Sequence, residues 1–457
     1  MKEGLTVSGA PEGTLERDQR RIGNLASFGA VLVGQTLSAF GSRLTAFALG
    51  VWVYQETGSV LHFSLITFFS LVPQLVALPL GGILVDRWNR RRAMLFADTG
   101  SGLATLVLFG LMSLNQLSLP LLYLIVAISS SFGAIQGLAF AAIPPLLIPA
   151  KQLPRANGLV ELGFTTGLAV APIAAGFLLG SIGLSGIILI DVATFVCACL
   201  TLFISRVPDT VPASPQRPRP KKLWHEASVG WSYVRQRKGL LALLLLFATI
   251  NFIQGMVVVL LTPLVLSFAS PVELGAVMST SISGLLVGGV CFSLWGGPRA
   301  GQIRAILVCL AIQGTALFLG GARASLALIA TVAFLYMFLQ AIILACSRTL
   351  WQTLVPSEIH GRVFAVRRLF VTSARPLAFL LAGPLADRLF EPWMQPGGAL
   401  AGTVGLALGV GPGRGIALFF MLMGFAAIAA LAVGLGYRPL LELDRLDKDR
   451  PRAVTET

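Results

Sequence analysis

Among the ionisable side chains in the long apolar stretches of this chain, Arg43, Asp98, Glu161, Asp191 and Arg375 are the candidates for chemistry. An ionised group in mid-bilayer costs about 2.5–3.5 kcal/mol on insertion scales, so each needs a partner, water or a role. A carboxylate that binds a proton in one environment and releases it in another can couple proton flow to a second movement. Asp191 and Glu161 are the leading candidates for that task and Asp98 is the third. For each, an interface ion pair or a helix-end charge is the competing explanation. Arg keeps its proton at workable pH, so Arg43 and Arg375 would instead bias a carboxylate or bind an anionic group. His62 could titrate, but an isolated His at a membrane edge is more often incidental.

The elements that must position these groups follow from composition. The chain has 457 residues, 55% hydrophobic and only 12% charged, with mean hydropathy +0.82. Too little charge is present to dissolve a surface of this size, so lipid is the solvent for most of it. The apolar residues run unbroken rather than alternating, which excludes a β-barrel. Runs of about 20 apolar residues match helices crossing roughly 30 Å of hydrocarbon, where backbone groups must bond within the segment. Twelve such runs are expected, giving an all-α membrane protein.

The net charge of +14 comes from Lys and Arg crowded into alternate connections. Cationic connections stay in the cytoplasm, which places both termini there and excludes nucleic acid as the partner of these charges. The first 23 residues are polar and mixed in charge, unlike a cleaved secretory leader. The five cysteines, Cys197, Cys199, Cys291, Cys309 and Cys346, all sit in apolar runs and are expected as buried free thiols. No metal site is expected.

The charge pattern divides the chain into a cytoplasmic tail (1–23), a six-helix bundle (24–206), a linker (207–238), a second bundle (239–437) and a cytoplasmic tail (438–457). The linker ends in an expected amphipathic helix, with Leu223, Trp231 and Val234 opposed to Lys221, Arg235 and Lys238. The halves echo each other: Pro149 and Arg155 share their spacing with Pro356 and Arg362.

The second connection carries the sharpest motif, Gly82, Leu84, Asp86, Arg87, Arg90 and Arg91. It resembles the G-x-L-x-D-R-x-G-R-R loop of the major facilitator superfamily, with Asn89, tolerant of left-handed backbone, at the second Gly. Span count, repeat and charge pattern extend the resemblance along the chain. Within the superfamily it looks closest to the branch of macrolide-efflux and enterobactin-export carriers. An acid at a helix end can cap a neighbouring helix and pair with Arg. The resemblance implies that Asp86 latches the halves together at the cytoplasmic face, meeting the start of span eleven at Arg362, Arg367 and Arg368. Gly163, Gly167, Pro172 and Gly176 resemble the antiporter motif of exporters, with Ala171 and Ala175 where Gly is usual; close packing alone would also explain them. The matching loop at 295–304 lacks the acid.

In this superfamily spans one, four, seven and ten line the cavity. That makes Gln35, Ser38, Asn251, Gln254 and Gln340 candidates for contact with substrate, beside Arg43 and Arg375. The implied protein is a secondary active transporter in a bacterial inner membrane. It would act without cofactor, as a monomer in the lipid bilayer, exchanging incoming protons for an outgoing drug, macrolide, siderophore or peptide-like metabolite. A lipid flippase, a symporter and a non-transporting receptor or scaffold are the alternatives. No ATP-binding loop and no His, Asp or Cys group at catalytic spacing suggests an enzyme.

Overall fold

The computed structural model describes residues 12–205, 220–298 and 301–444; the side chains of 12–24 and 220–227 are not described. The long helices are α1 (Glu12–Thr57), α2 (Val60–Arg87), α3 (Arg90–Ser113), α4 (Leu119–Ala141), α5 (Leu153–Ile204), α6 (Pro220–Gln236), α7 (Lys238–Leu266), α8 (Pro271–Trp295), α9 (Gln302–Ala322), α10 (Leu326–Leu354), α11 (His360–Leu385) and α12 (Arg414–Gly436). All but α6 are long and apolar enough to cross a membrane, eleven among the described residues. The expected count was twelve. The difference lies in α5, whose 52 residues cover the fifth and sixth apolar runs without a loop. Gly183 interrupts it with φ 69° and ψ −177°, a backbone shape that a side chain would oppose.

Helix ends follow local chemistry. Ser270 and Glu273 form a reciprocal capping box at α8, with Pro271 at the first helical position, and Gly296 closes the helix in left-handed geometry. The sequence echo between the halves is also an echo in backbone. Pro149 (φ −59°, ψ 146°) precedes a 3₁₀ turn at Ala150–Gln152 and then α5. Pro356 (φ −62°, ψ 142°) precedes a 3₁₀ turn at Ser357–Ile359 and then α11.

Two compact units emerge. The first gathers 1–42, 73–167 and 188–215; the second gathers 43–72, 168–187 and 216–457. In the first, Phe28, Val31, Met94, Ile143 and Leu202 form a buried core. In the second, α7 is the central helix, and Trp351 of α10 is fully buried. Helices there meet through small residues. Gly284 and Gly288 of α8 face the carbonyls of Phe334 and Phe338, and Gly314 of α9 faces Gly424 of α12. Without a hydrophobic drive between helices in lipid, such close backbone contact supplies the attraction.

The expected linker helix is present as α6. Trp231 stacks on Phe370 with ring centroids 4.9 Å apart, and Val234 is buried. Leu223 and Lys221 are outside the described side chains, and 207–219 outside the described residues, as are the tails 1–11 and 445–457. The cysteines correct one expectation: Cys309 and Cys346 are buried and Cys197 and Cys199 half-buried, but Cys291 is exposed. It lies on α8 beside the exposed Val290 and Leu294.

Candidate functional site

In the first unit, three helices bring polar side chains to one point. Asp98 of α3 is only 5% exposed, and Gln35 of α1 donates to its Oδ2 at 2.8 Å. Gln136 of α4 in turn donates to the Oε1 of Gln35. Each bond polarises the next, so the chain Gln136–Gln35–Asp98 is stronger than its members taken singly. Asp98 forms no ion pair among the described residues, so neutral amides alone support this carboxylate. Such a group can change its protonation without breaking a salt bridge.

The other two candidate acids differ. Asp191 is buried, and Ser42 donates to its Oδ1 at 3.1 Å. Gly41 lies against the backbone of Asp191, where a side chain on α1 would not fit. Glu161 is exposed on α5 and accepts only from Thr165, one turn away, at 3.5 Å. Ser38 is half-buried.

In the second unit, Arg375 of α11 donates to Gln254 of α7 at 2.8 Å. Gln313 of α9 donates to the Tyr336 carbonyl at 2.8 Å and to Gln340 of α10 at 3.2 Å. The amide of Asn251 is turned back onto the Phe247 carbonyl of its own helix, 2.9 Å away. Asn251, Gln254 and Gln340 are all buried. Arg43 is half-buried and engaged.

The Asp-Arg loop is built differently from expectation at one residue. Asn89 has φ −58° and ψ 127°, not left-handed geometry, and its side chain accepts from the Arg91 amide at 2.9 Å. It caps α3 with a side-chain bond that Gly could not make. Arg91 reaches the last carbonyls of α5, bonding Leu202 at 3.1 Å and Phe203 at 2.8 Å. Asp86 and Arg87 are exposed, and Gly82 has open space where a Cβ would stand. Arg90 is half-buried and engaged. Of the expected partners, Arg362 and Arg368 are exposed, while Arg367 donates to Ser347 at 2.7 Å and lies over Trp351.

The small residues of α5 are packing positions. Gly163 faces Thr36 in the first unit, and Gly167 is buried. In the second, Gly176 stands where a Cβ would lie 2.5 Å from the Pro271 carbonyl, and the Pro172 carbonyl abuts Gly275 of α8.

Sequence reading missed several partners. Gln136 and Gln313 are single polar residues in apolar helices, and that rarity was the available signal. Three acids cap helices far from them in sequence. Asp387 accepts from the first turn of α2, with the Val60 amide at 3.0 Å and the Leu61 amide at 2.9 Å. Glu391 accepts from Ile416 of α12 at 3.0 Å. Asp444 accepts from the Ile303 amide of α9 at 2.7 Å.

Comparison with known proteins places this architecture. Residues 31–379 match the family model described as Major Facilitator Superfamily. Macrolide efflux protein A of Streptococcus pyogenes is 28% identical over 384 residues, covering 82% of this chain and 93% of that protein. Multidrug efflux pump Tap of Mycolicibacterium fortuitum is 27% identical, covering 78% of this chain and 88% of the pump. Among solved structures, an inward-facing, unoccupied bacterial homolog of the human lysosomal transporter Spinster superposes with TM-score 0.67 at 17% identity, over 94% of this chain and 99% of that one. An inward-facing bacterial homologue of the iron transporter ferroportin gives 0.64 at 16% identity, over 93% and 99%. With its many apolar helices and a family match spanning most of its length, this chain is a multi-pass membrane protein that belongs to the Major Facilitator Superfamily.

Proposed function

We propose that this protein is a proton-driven exporter of bulky hydrophobic antibiotics, cycling between states open to either side of the membrane. The relatives named for macrolide and multidrug efflux support the direction and cargo. They narrow the cargo from the wider set in the sequence reading, and siderophore export is not carried forward. The chain makes twelve crossings, counting α5 as two on either side of Gly183, in two six-helix bundles with both termini cytoplasmic. It works in a bacterial inner membrane as a monomer, without a cofactor.

The observation that carries proton coupling is the Asp98 site. A carboxylate held only by neutral amides, near the beginning of α3, takes up and releases the proton. It displaces Asp191 and Glu161 as leading candidate, since Glu161 is exposed and Asp191 is tied to Ser42. A potential of 100 mV supplies about 2.3 kcal/mol per charge moved, enough for about fiftyfold accumulation.

The test uses purified protein in liposomes, with erythromycin and ethidium as probes and an imposed pH gradient. Wild type should accumulate a probe against its gradient. Asp98→Asn should lose that accumulation yet keep downhill exchange of the same probe. Full gradient-driven flux in Asp98→Asn sinks the coupling assignment, and no gradient-dependent flux of any probe by wild type sinks the exporter reading.

A further inference from the structure

The pattern G-x-L-x-D-R occurs twice in this chain. Gly82, Leu84, Asp86 and Arg87 end α2, and Gly383 and Leu385 end α11, with Asp387 and Arg388 in the π-helical turn Ala386–Phe390 that continues it. Nine crossings separate the two copies in the proposed topology, so they lie on opposite faces of the membrane. Inverted repeats of three helices place equivalent segments in this way.

The second copy is engaged. The Oδ2 of Asp387 accepts from the Ser59 hydroxyl at 2.6 Å and the Leu61 amide at 2.9 Å, while Oδ1 accepts from the Val60 amide at 3.0 Å. The two amides are orphan donors of a helix N-terminus, whose dipole also favours an anion. The first turn of α2 holds no acidic residue of its own, so its charge complement comes from a residue over 320 positions away. Gly383, one turn before Asp387, lets the helices meet: a Cβ there would stand 2.5 Å from the Leu61 Cα and collide with the Ser64 hydroxyl. One turn beyond, Glu391 holds the start of α12 through Ile416. The ends of three helices are therefore fastened by two carboxylates on one helical face.

We infer that Asp387 is the outer-side positioning residue of the transport cycle. Its cap on α2 holds the outer ends of spans two and eleven together and breaks when the protein opens outward. It is the counterpart of the latch assigned to Asp86 on the inner side. This inference rests on the alternating-access reading above.

The test is a distance measurement on the full chain in nanodiscs, with the five native cysteines replaced by alanine. Spin labels at Glu56→Cys and Ala399→Cys, exposed positions shortly before α2 and shortly after Glu391 in sequence, report the separation of the helix ends. The parent should show a short and a long distance. Asp387→Ala should raise the long-to-short ratio by about fivefold to thirtyfold, the loss of a charged cap expressed as an equilibrium. Asp387→Glu should restore the short distance at least in part, which a purely steric role would not allow. Should Asp387→Ala fail to fold, Ser59→Ala removes one of the three donors and should shift the ratio the same way by about twofold to fivefold. A ratio within about twofold of the parent in Asp387→Ala, or no shift at all in Ser59→Ala, overturns the inference. A parent confined to one distance with and without drug and pH gradient overturns alternating access itself.

Discussion

The two G-x-L-x-D-R segments have the same residue types at the same spacing and opposite surroundings. Asp387 sits on three donors at the start of α2, and Gly383 allows backbone contact. Asp86 is exposed, with no hydrogen-bond partner among the described residues, and Gly82 borders open space. A short motif thus fixes what a segment is able to do, while the helix brought against it decides whether it does so. Under the alternating access proposed above, one engaged copy and one unbonded copy are what a single state of the cycle would show.

The largest effect should come from the two glycines. Gly383→Leu forces a side chain into the Leu61 backbone and should cost about 2–3 kcal/mol, read as a clear fall in melting temperature in detergent. Gly82→Leu should change stability by no more than about 0.5 kcal/mol. Equal falls would break the comparison.

The two acids come next. Asp387→Asn removes the charge from a cap on three donors and should cost about 1–2 kcal/mol in the same melting assay. Asp86→Asn should leave the melting temperature unchanged yet slow the initial rate of export, because the proposed cycle assigns its bond to another state. An Asp86→Asn protein that melts early but transports at full rate would reverse the assignment.

The smallest effect sharpens the account of the first copy. Asn89→Gly restores the residue usual in the family and, were the backbone left-handed, should stabilise. With φ at −58° and the side chain capping α3, it should instead cost a few tenths of a kcal/mol, with Asn89→Ala costing about 1 kcal/mol. Paired chemical unfolding curves would resolve the order.

Much of this was legible in the sequence. The apolar runs, the cationic connections and the Asp86 loop led to a helical carrier, and the Pro149 and Pro356 segments fold into the same turn. The second motif copy was equally visible in the letters. It was overlooked because the comparison of the two halves paired the Asp86 loop with 295–304, its counterpart under a parallel repeat, whereas an inverted repeat pairs it with the end of α11. The letters alone also did not tell the membrane acids apart. Asp98, Asp191 and Glu161 all interrupt apolar helices, yet one is held by amides, one by a hydroxyl and one is exposed.

Sequence by itself determined that this chain lives in lipid and spans it as helices, because unbroken apolar runs leave the backbone no other way to satisfy its polar groups. It also determined the members of the carrier loop. Only the tertiary structure decided which carboxylates are bonded and to what. A hydrogen bond requires donor and acceptor within about 3.5 Å. The partners of Asp98 and Asp387 lie 63 and up to 328 positions away, distances along the chain that periodicity and spacing do not bridge.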